Sequence, residues 1–200
     1  MVVFNRCLAL PNVACIVVDL ETGTYRATRH LLDMHHTRIA FLPGPVASET
    51  SQARRRGIMT ALAEAGLHFH DEWSPASYPD VNGGFQAMSA LLALPADRRP
   101  TAVITHNDLM ALGALHAIRS QHLRVPEDIS IIGIDNIHMA AHANPPLTTL
   151  APPKHRMGRM AMQLLRRMLA GKPPPEPSYT LVECPLIVRE STGPAPGSNG

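Results

Sequence analysis

Short apolar runs alternate with amphipathic stretches along most of this chain. Thr101–Thr105 and Ile129–Ile134 (ISIIGI) are apolar and rich in β-branched residues, the pattern of strands buried on both faces. Between them Met110, Ala114, Ala117 and Ile118 recur at helical spacing, and Val125-Pro126 closes the helical stretch. A strand, a crossover helix and a strand in this length make a βαβ unit with parallel strands. The same reading predicts strands at Met1–Phe4, Val13–Val18, Arg38–Leu42, Leu67–His70, Leu147–Leu150, Tyr179–Val182 and Leu186–Val188. It predicts helices from Glu21 to about Met34, over Ser48–Ala65 with Gly66 as its C-terminal cap, and over Val81–Leu94, Ile137–Ala143 and Lys154–Ala170. In the last of these Met157, Met160, Ala161, Leu164, Leu165 and Met168 share one face, which reads as core or subunit interface. Pro43-Gly44-Pro45, Glu72–Asp80, Pro95–Pro100, Asn144-Pro145-Pro146 and Lys172–Pro177 are connectors, and Gly193–Gly200 reads as a disordered tail. Strands and helices alternating at roughly 30-residue intervals predict the α/β class, a largely parallel sheet flanked by helices.

Composition narrows the picture without redrawing it. A chain of 200 residues with 45% hydrophobic and 17% charged positions can build a core, and its net charge of +2 is too small to argue for nucleic acid or a membrane surface. Cys7, Cys15 and Cys184 are odd in number and widely spaced, which fits neither a disulfide framework nor a zinc site and reads as reduced thiols. No apolar run reaches the length of a membrane span. Val13-Ala14-Cys15 has the outline of a lipoprotein cleavage site, but no positive segment stands ahead of the apolar stretch and Arg6, Pro11 and Asn12 interrupt it, so no secretory leader and a cytoplasmic location are expected.

Candidate chemistry collects where strands end. In a parallel sheet the carboxyl ends of the strands share one edge, and ligands bind there. Asn5 follows the first strand, Arg54-Arg55-Arg56 lies at the front of the helix after the strand Arg38–Leu42, and Trp73 and Tyr78 sit in the loop after Leu67–His70. Asn107-Asp108 follows Thr101–Thr105, and Asp135-Asn136 follows Ile129–Ile134. A guanidinium, carboxylates, amides and an aromatic face on one rim suit a small polar ligand. Of the three arginines Arg54 is the expected functional one, and the basic face of Lys154–Arg167 reads as solvated. No phosphate-binding glycine loop, G-x-S-x-G elbow or H-E-x-x-H motif is present, so no enzyme and no cofactor are expected. His138 and His142 have a spacing that could hold a metal, but they, with His35-His36, His68 and His70, read as turn or surface histidines, and no metal site is expected.

Taken together, Asp19–Pro45, ARRRGIMTALAEAGL (Ala53–Leu67), Thr101–Asn136 with its ND-x-x-ALGAL and VPEDISIIGID segments, NPPLTTL (Asn144–Leu150) and CPLIVREST (Cys184–Thr192) resemble the effector-binding core of LacI/GalR-family transcriptional regulators. The resemblance implies a type I periplasmic-binding-protein-like fold, two α/β subdomains joined by three crossovers with the effector between them. It implies that the C-terminal subdomain is nearly whole and the N-terminal one incomplete. Residues 1–18 would be a remnant of the N-terminal subdomain and 19–150 the effector-binding C-terminal subdomain. Residues 151–177 would be a crossover with a helix of the N-terminal subdomain, 178–190 strands returning to the C-terminal subdomain, and 191–200 the tail.

Carried over by position, the ligand contacts would be Asn5, Arg54, Asn107 and Asp135, with Tyr78 a looser match because its loop varies in length; Asp108 is left as a helix cap. Asn136 stands where the family usually has a second acid, and His35-His36 where it usually has Gly-His, so a turn needing positive φ would be strained there. The implied function is ligand sensing in a transcriptional regulator, with a sugar or related molecule as effector and a homodimer as assembly. Operator DNA would be reached only through a head domain that this sequence does not contain. The alternative is a sugar-binding protein of a transport or chemoreceptor system, which would need a signal peptide.

Overall fold

The computed structural model describes residues 1–6, 10–44, 48–174 and 178–197. In chain order its elements are β1 (Val2–Phe4), β2 (Ala14–Val18), α1 (Leu20–Asp33), β3 (Ile39–Leu42), α2 (Glu49–Glu64), α3 (Val81–Leu92), β4 (Ala102–Thr105), α4 (Asp108–Ser120), β5 (Ser130–Ile134), α5 (His138–His142), β6 (Thr148–Leu150), α6 (Lys154–Leu169), β7 (Tyr179–Val182) and β8 (Leu186–Ile187). They build two sheets. The larger has the order β3-β4-β5-β6-β8, parallel except for β8, and the smaller is an all-parallel β1-β2-β7. This is the expected α/β fold.

The strands of the large sheet alternate as a period of two requires. Ile39, Phe41, Ala102, Ile104, Ile132 and Ile134 pack on one face with Leu31, Ile58 and Leu62 of α1 and α2. Ala40, Leu42, Val103 and Ile131 pack on the other with Met88, Leu91, Met110 and Ile118 of α3 and α4. Burying both faces is why these strands read as continuous apolar runs.

Side chains at their first turns fix where the four long helices of this layer begin. Asp19 accepts from Thr22 N, Ser48 from Ser51 N, Asp80 from Gly83 N and Asn107 from Met110 N, at 2.7–3.1 Å. Glycine lets the helices approach closely. A Cβ on Gly57 would stand 2.1 Å from Glu21 O, and one on Gly113 1.9 Å from Val81 O.

The chain passes between the sheets three times: from β2 into α1, from β6 into α6, and from β7 into β8. Helix α6 packs on β1 and β2 through the buried Met157 and the partly buried Met160, Ala161 and Leu164, while Met162, Leu165 and Leu169 of the same helix are exposed. Among the described residues no helix is long and apolar enough to cross a membrane. Cys15 and Cys184 are buried thiols, and Cys7 lies outside the described residues.

Four expectations change. Leu67–His70 is not a strand. Leu67 and Phe69 lean on the core in alternation, which produced the signal, but no ladder forms, and the segment runs into a single 3-10 turn at Asp71–Trp73. Residues 178–190 do not return together to the large sheet: β7 pairs in parallel with β2, and only β8 joins β6. The stretch 191–197 is packed rather than disordered. Ser191 Oγ donates to Ile131 O and accepts from Thr148 N, and Ala195 N donates to Met34 O. Residues 198–200, like Pro45 and 175–177 of the proline-rich connector, lie outside the described residues.

The fourth change is His36, which is fully buried instead of exposed. Its ring lies within 3.1 Å of Thr101 Oγ1, Ser130 Oγ and Gly193 O, and so pins the last residues to the sheet. Beside it His35 takes φ +66°, the left-handed turn for which a glycine is better suited.

Candidate functional site

The carboxyl ends of β3, β4 and β5 open on one edge of the large sheet, and the first turns of α2 and α4 stand over it. Arg54 is carried there by α2. Its backbone oxygen accepts from Thr24 Oγ1 at 2.9 Å, which ties α2 to α1, and Gly57, one turn later, allows the two helices to touch. The side chain is 6% exposed, yet its hydrogen bonding is incomplete. Nη1 donates to Thr50 O at 2.9 Å, and among the described residues neither the buried Nε nor Nη2 has a partner. Burial lowers the guanidinium pKa to about 10, and the nearby Asp135 opposes that shift.

Asp135 follows β5 with φ +111°. Its backbone oxygen accepts from Lys154 Nζ at 2.6 Å, but among the described residues nothing donates to its carboxylate. Burial raises its pKa, and Arg54 and then Lys154 hold it back. Arg54 and Asp135 thus act on one another electrostatically without a direct ion pair, leaving polar atoms of both for a third group.

His106, between the end of β4 and the cap of α4, belongs to the same cluster. Its backbone nitrogen donates to Leu42 O at 2.9 Å. A Cβ built on Gly44 would stand 2.8–2.9 Å from Cγ, Nδ1 and Cδ2 alike, so the ring lies with its face on that glycine. Among the described residues the buried Nδ1 has no partner, and neither does Nε2. Burial first, and then the charge of Arg54, lower its pKa to about 4, so the ring is neutral at physiological pH.

Asn107 takes the helix-cap part that the sequence reading left to Asp108, and Asp108 does not cap α4. Asn107 is the helix cap: Oδ1 accepts from Met110 N at 2.9 Å and Nδ2 donates to Pro79 O at 2.9 Å, so its amide serves the α4 terminus and the loop before α3. Asp108 is fully buried and reaches away from its own helix end. It accepts from Thr149 Oγ1 at 2.6 Å and from Ile137 N at 2.8 Å, joining α4 to β6 and to the segment after β5. Burial raises its pKa to about 6 against the pull of those two donors.

The other sequence candidates lie further out. Asn5, at φ +55° after β1, accepts from Val18 N at 3.4 Å and lines an opening of about 320 Å³ with Val18, Thr50 and Ala53. Asp135 and Asn136 line a different opening of about 550 Å³ beside the first turn of α6. Asn136 Oδ1 accepts from Arg189 Nη2 at 2.8 Å. Tyr78 is 79% exposed and its ring is not brought to the cluster. Trp73 is in the core, with Nε1 donating to Arg98 O at 3.0 Å. Sequence reasoning missed His106 altogether, although the strand-end rule that selected Asn107 applies equally to the residue before it. It also missed Cys184, which lies buried beneath the cluster with its thiol pushed up to about 12 by burial.

Comparison with known proteins agrees with this fold. Residues 28–192 match the family described as periplasmic binding protein-like domain. The HTH-type transcriptional repressor PurR of Aliivibrio fischeri is 40% identical over 162 residues, which cover 81% of this chain and 48% of that protein. The chain therefore spans about half the length of the curated relatives it matches. A crystal structure of a LacI-family regulatory protein from Chloroflexus aggregans superposes with a TM-score of 0.88 at 33% identity, covering 96% of this chain and 68% of that one. A complex of the transcriptional regulator CelR with cellobiose superposes with a TM-score of 0.83 at 34% identity, covering 95% and 58%.

Proposed function

This chain belongs to the LacI family of transcriptional regulators, and on that premise we propose that it is the ligand-sensing part of a cytoplasmic repressor that takes a small polar effector between its two sheets. The observation that carries the reading is Arg54, a buried guanidinium whose Nε has no partner, near the carboxylate of Asp135, which also has none among the described residues. An unpaired buried charge is costly, and a ligand that bridges both groups removes the cost. Asn5 on the small sheet completes the far wall, Asn107 holds the near wall in place, and Tyr78 forms the rim. A sugar or sugar derivative suits this set, because adjacent hydroxyls pair well with a guanidinium and a carboxylate; the cellobiose complex of CelR supports the same class.

The effector works by favouring one angle between the two sheets over another, and the three connections carry that preference to the rest of the regulator. Operator DNA is contacted by a separate head domain, and the active assembly is a homodimer. The test is calorimetric titration of the full-length protein with a panel of sugars and nucleosides, together with operator binding measured with and without the ligand that binds. Micromolar binding that changes operator affinity is expected. If no compound binds, or if Asp135→Asn leaves the affinity of the bound compound unchanged, the reading is overturned.

A further inference from the structure

Resting on that effector reading, we infer that His106 is a specificity-determining residue of the site: its imidazole, laid flat on Gly44 beside Arg54, reads an uncharged polar group of the effector, and the site selects a neutral ligand over a phosphorylated or carboxylate one. Three side chains here have polar atoms with no partner among the described residues: Arg54 through Nη2, Asp135 through its carboxylate, and His106 through Nε2. Arg54 Nε and His106 Nδ1 are also the two buried side-chain polar atoms left without a partner among the described residues. Both orphans therefore belong to groups that act on each other electrostatically. Buried polar atoms are rarely left unpaired, and where they are, a functional cause is the first to look for.

The ring is also held rather than loose. Gly44 leaves no room for a side chain under it, so its plane is fixed by the backbone that follows β3. A cation next to an imidazole favours the tautomer that keeps a lone pair on the buried nitrogen, which leaves Nε2–H as a donor toward the opening.

The charge balance points to a neutral partner. Arg54 and Lys154 act on Asp135, and Asp135 and Lys154 act in turn on Asp108, so two cations already face two acids. The helix N-termini where an anion would otherwise sit are filled. Ser48 caps α2 and Asn107 caps α4, and Glu49 and Asp108 place acids in their first turns. Among the long helices the exception is α6, whose start has no side-chain cap and carries Lys154, His155 and Arg156. A phosphoryl group would go there, so phosphorylated probes form the opposing arm of the test.

The experiment is titration of the full-length protein with ribose, glucose, cellobiose, adenosine and cytidine against ribose 5-phosphate and glucose 6-phosphate, by calorimetry and thermal shift. The best neutral compound is then repeated on His106→Ala, His106→Gln and His106→Asn, with unfolding midpoints as the folding control. The expected result is that a neutral compound binds at least tenfold tighter than any phosphate. His106→Ala and His106→Asn should weaken it tenfold or more, while His106→Gln, whose amide N–H can reach the place of Nε2–H, should retain more affinity than either. Gly44→Ala, which displaces the ring without removing it, should also weaken binding. Should a phosphorylated probe bind best, or should neutral binding survive His106→Ala yet be lost in Arg54→Ala, the role of His106 is overturned and the effector site stands. If no probe of either class binds, the effector reading itself falls and this inference with it.

Discussion

Arg54 and Asp135 bear on each other's charge across the edge of the large sheet without meeting in an ion pair. Each counters the shift that burial imposes on the other, and each keeps polar atoms free. Asp135→Asn is therefore expected to weaken effector binding at least tenfold, about 1.4 kcal/mol. The urea midpoint should hardly move, because asparagine tolerates the positive φ at this position and nothing in the fold depends on the carboxylate. Calorimetry and urea unfolding on the same variant check both halves.

Gly57 sets where α2, and so Arg54, sits. A methyl group there meets Glu21 O at 2.1 Å and Thr24 Oγ1 at 2.4 Å, and backbone oxygen cannot give way as a flexible side chain can. Gly57→Ala should cost about 1–3 kcal/mol of stability. It should also lower effector affinity by moving Arg54, although it touches no ligand. A variant as stable as the parent in denaturant would contradict this packing.

Asp108 gives a pH dependence whose sign is set by burial. The folded-state pKa, about 6, lies above the ordinary carboxylate value, so the folded protein holds this proton more tightly than the unfolded chain does. Its contribution to stability is present at pH 4 and is lost as pH rises through 6. Asp108→Asn should remove that slope. It should also cost about 1–3 kcal/mol at neutral pH, because one of the two donors, Thr149 Oγ1 or Ile137 N, loses its acceptor. Unfolding midpoints of parent and variant at pH 4.5 and 7.5 separate the two effects.

His36 runs the other way. Burial lowers its pKa below 6.5, so the unfolded chain takes up a proton that the folded protein resists, and stability falls as pH drops below about 6.5. His30 and His106 add to the same acid sensitivity. His36→Ala should shrink the loss between pH 7 and 5 while lowering stability at pH 7. Deleting residues 191–197 should mimic the second effect, since it removes Gly193 O and the Ser191 bridge between Ile131 and Thr148. Chemical denaturation across that pH range is the measurement.

Much of this was legible in the sequence, for identifiable reasons. Strands buried on both faces announce themselves as apolar runs, so β3, β4, β5 and β6 were placed within a residue or two. The strand-end rule put Asp135 and the group Arg54-Arg55-Arg56 at one edge of the sheet, and in the structure Arg54 is the buried one of the three. The failures share a cause: partner choice. Leu67–His70 has a strand's alternation but no neighbour to pair with, and Tyr179–Val182 reads as a strand without saying which sheet it joins. The tail looked disordered because glycine and proline carry no periodicity, yet its order comes from His36, distant in sequence. The roles of Asn107 and Asp108 are set by whichever donors lie in reach, and only the fold brings Thr149 and Ile137 to Asp108.

The middle strand of the small sheet, β2, takes one neighbour from near the start of the chain and the other, β7, from beyond residue 178. That separation has a consequence for synthesis. The large sheet gathers β3, β4, β5 and β6 in order as they are made, through contacts of modest sequence separation. The small sheet cannot close until Tyr179–Val182 has left the ribosome, and it closes by the pairing with the highest contact order in the molecule. The sheet that carries Asn5 thus closes late, and a nascent chain has the four parallel strands of its larger sheet long before it has the smaller one.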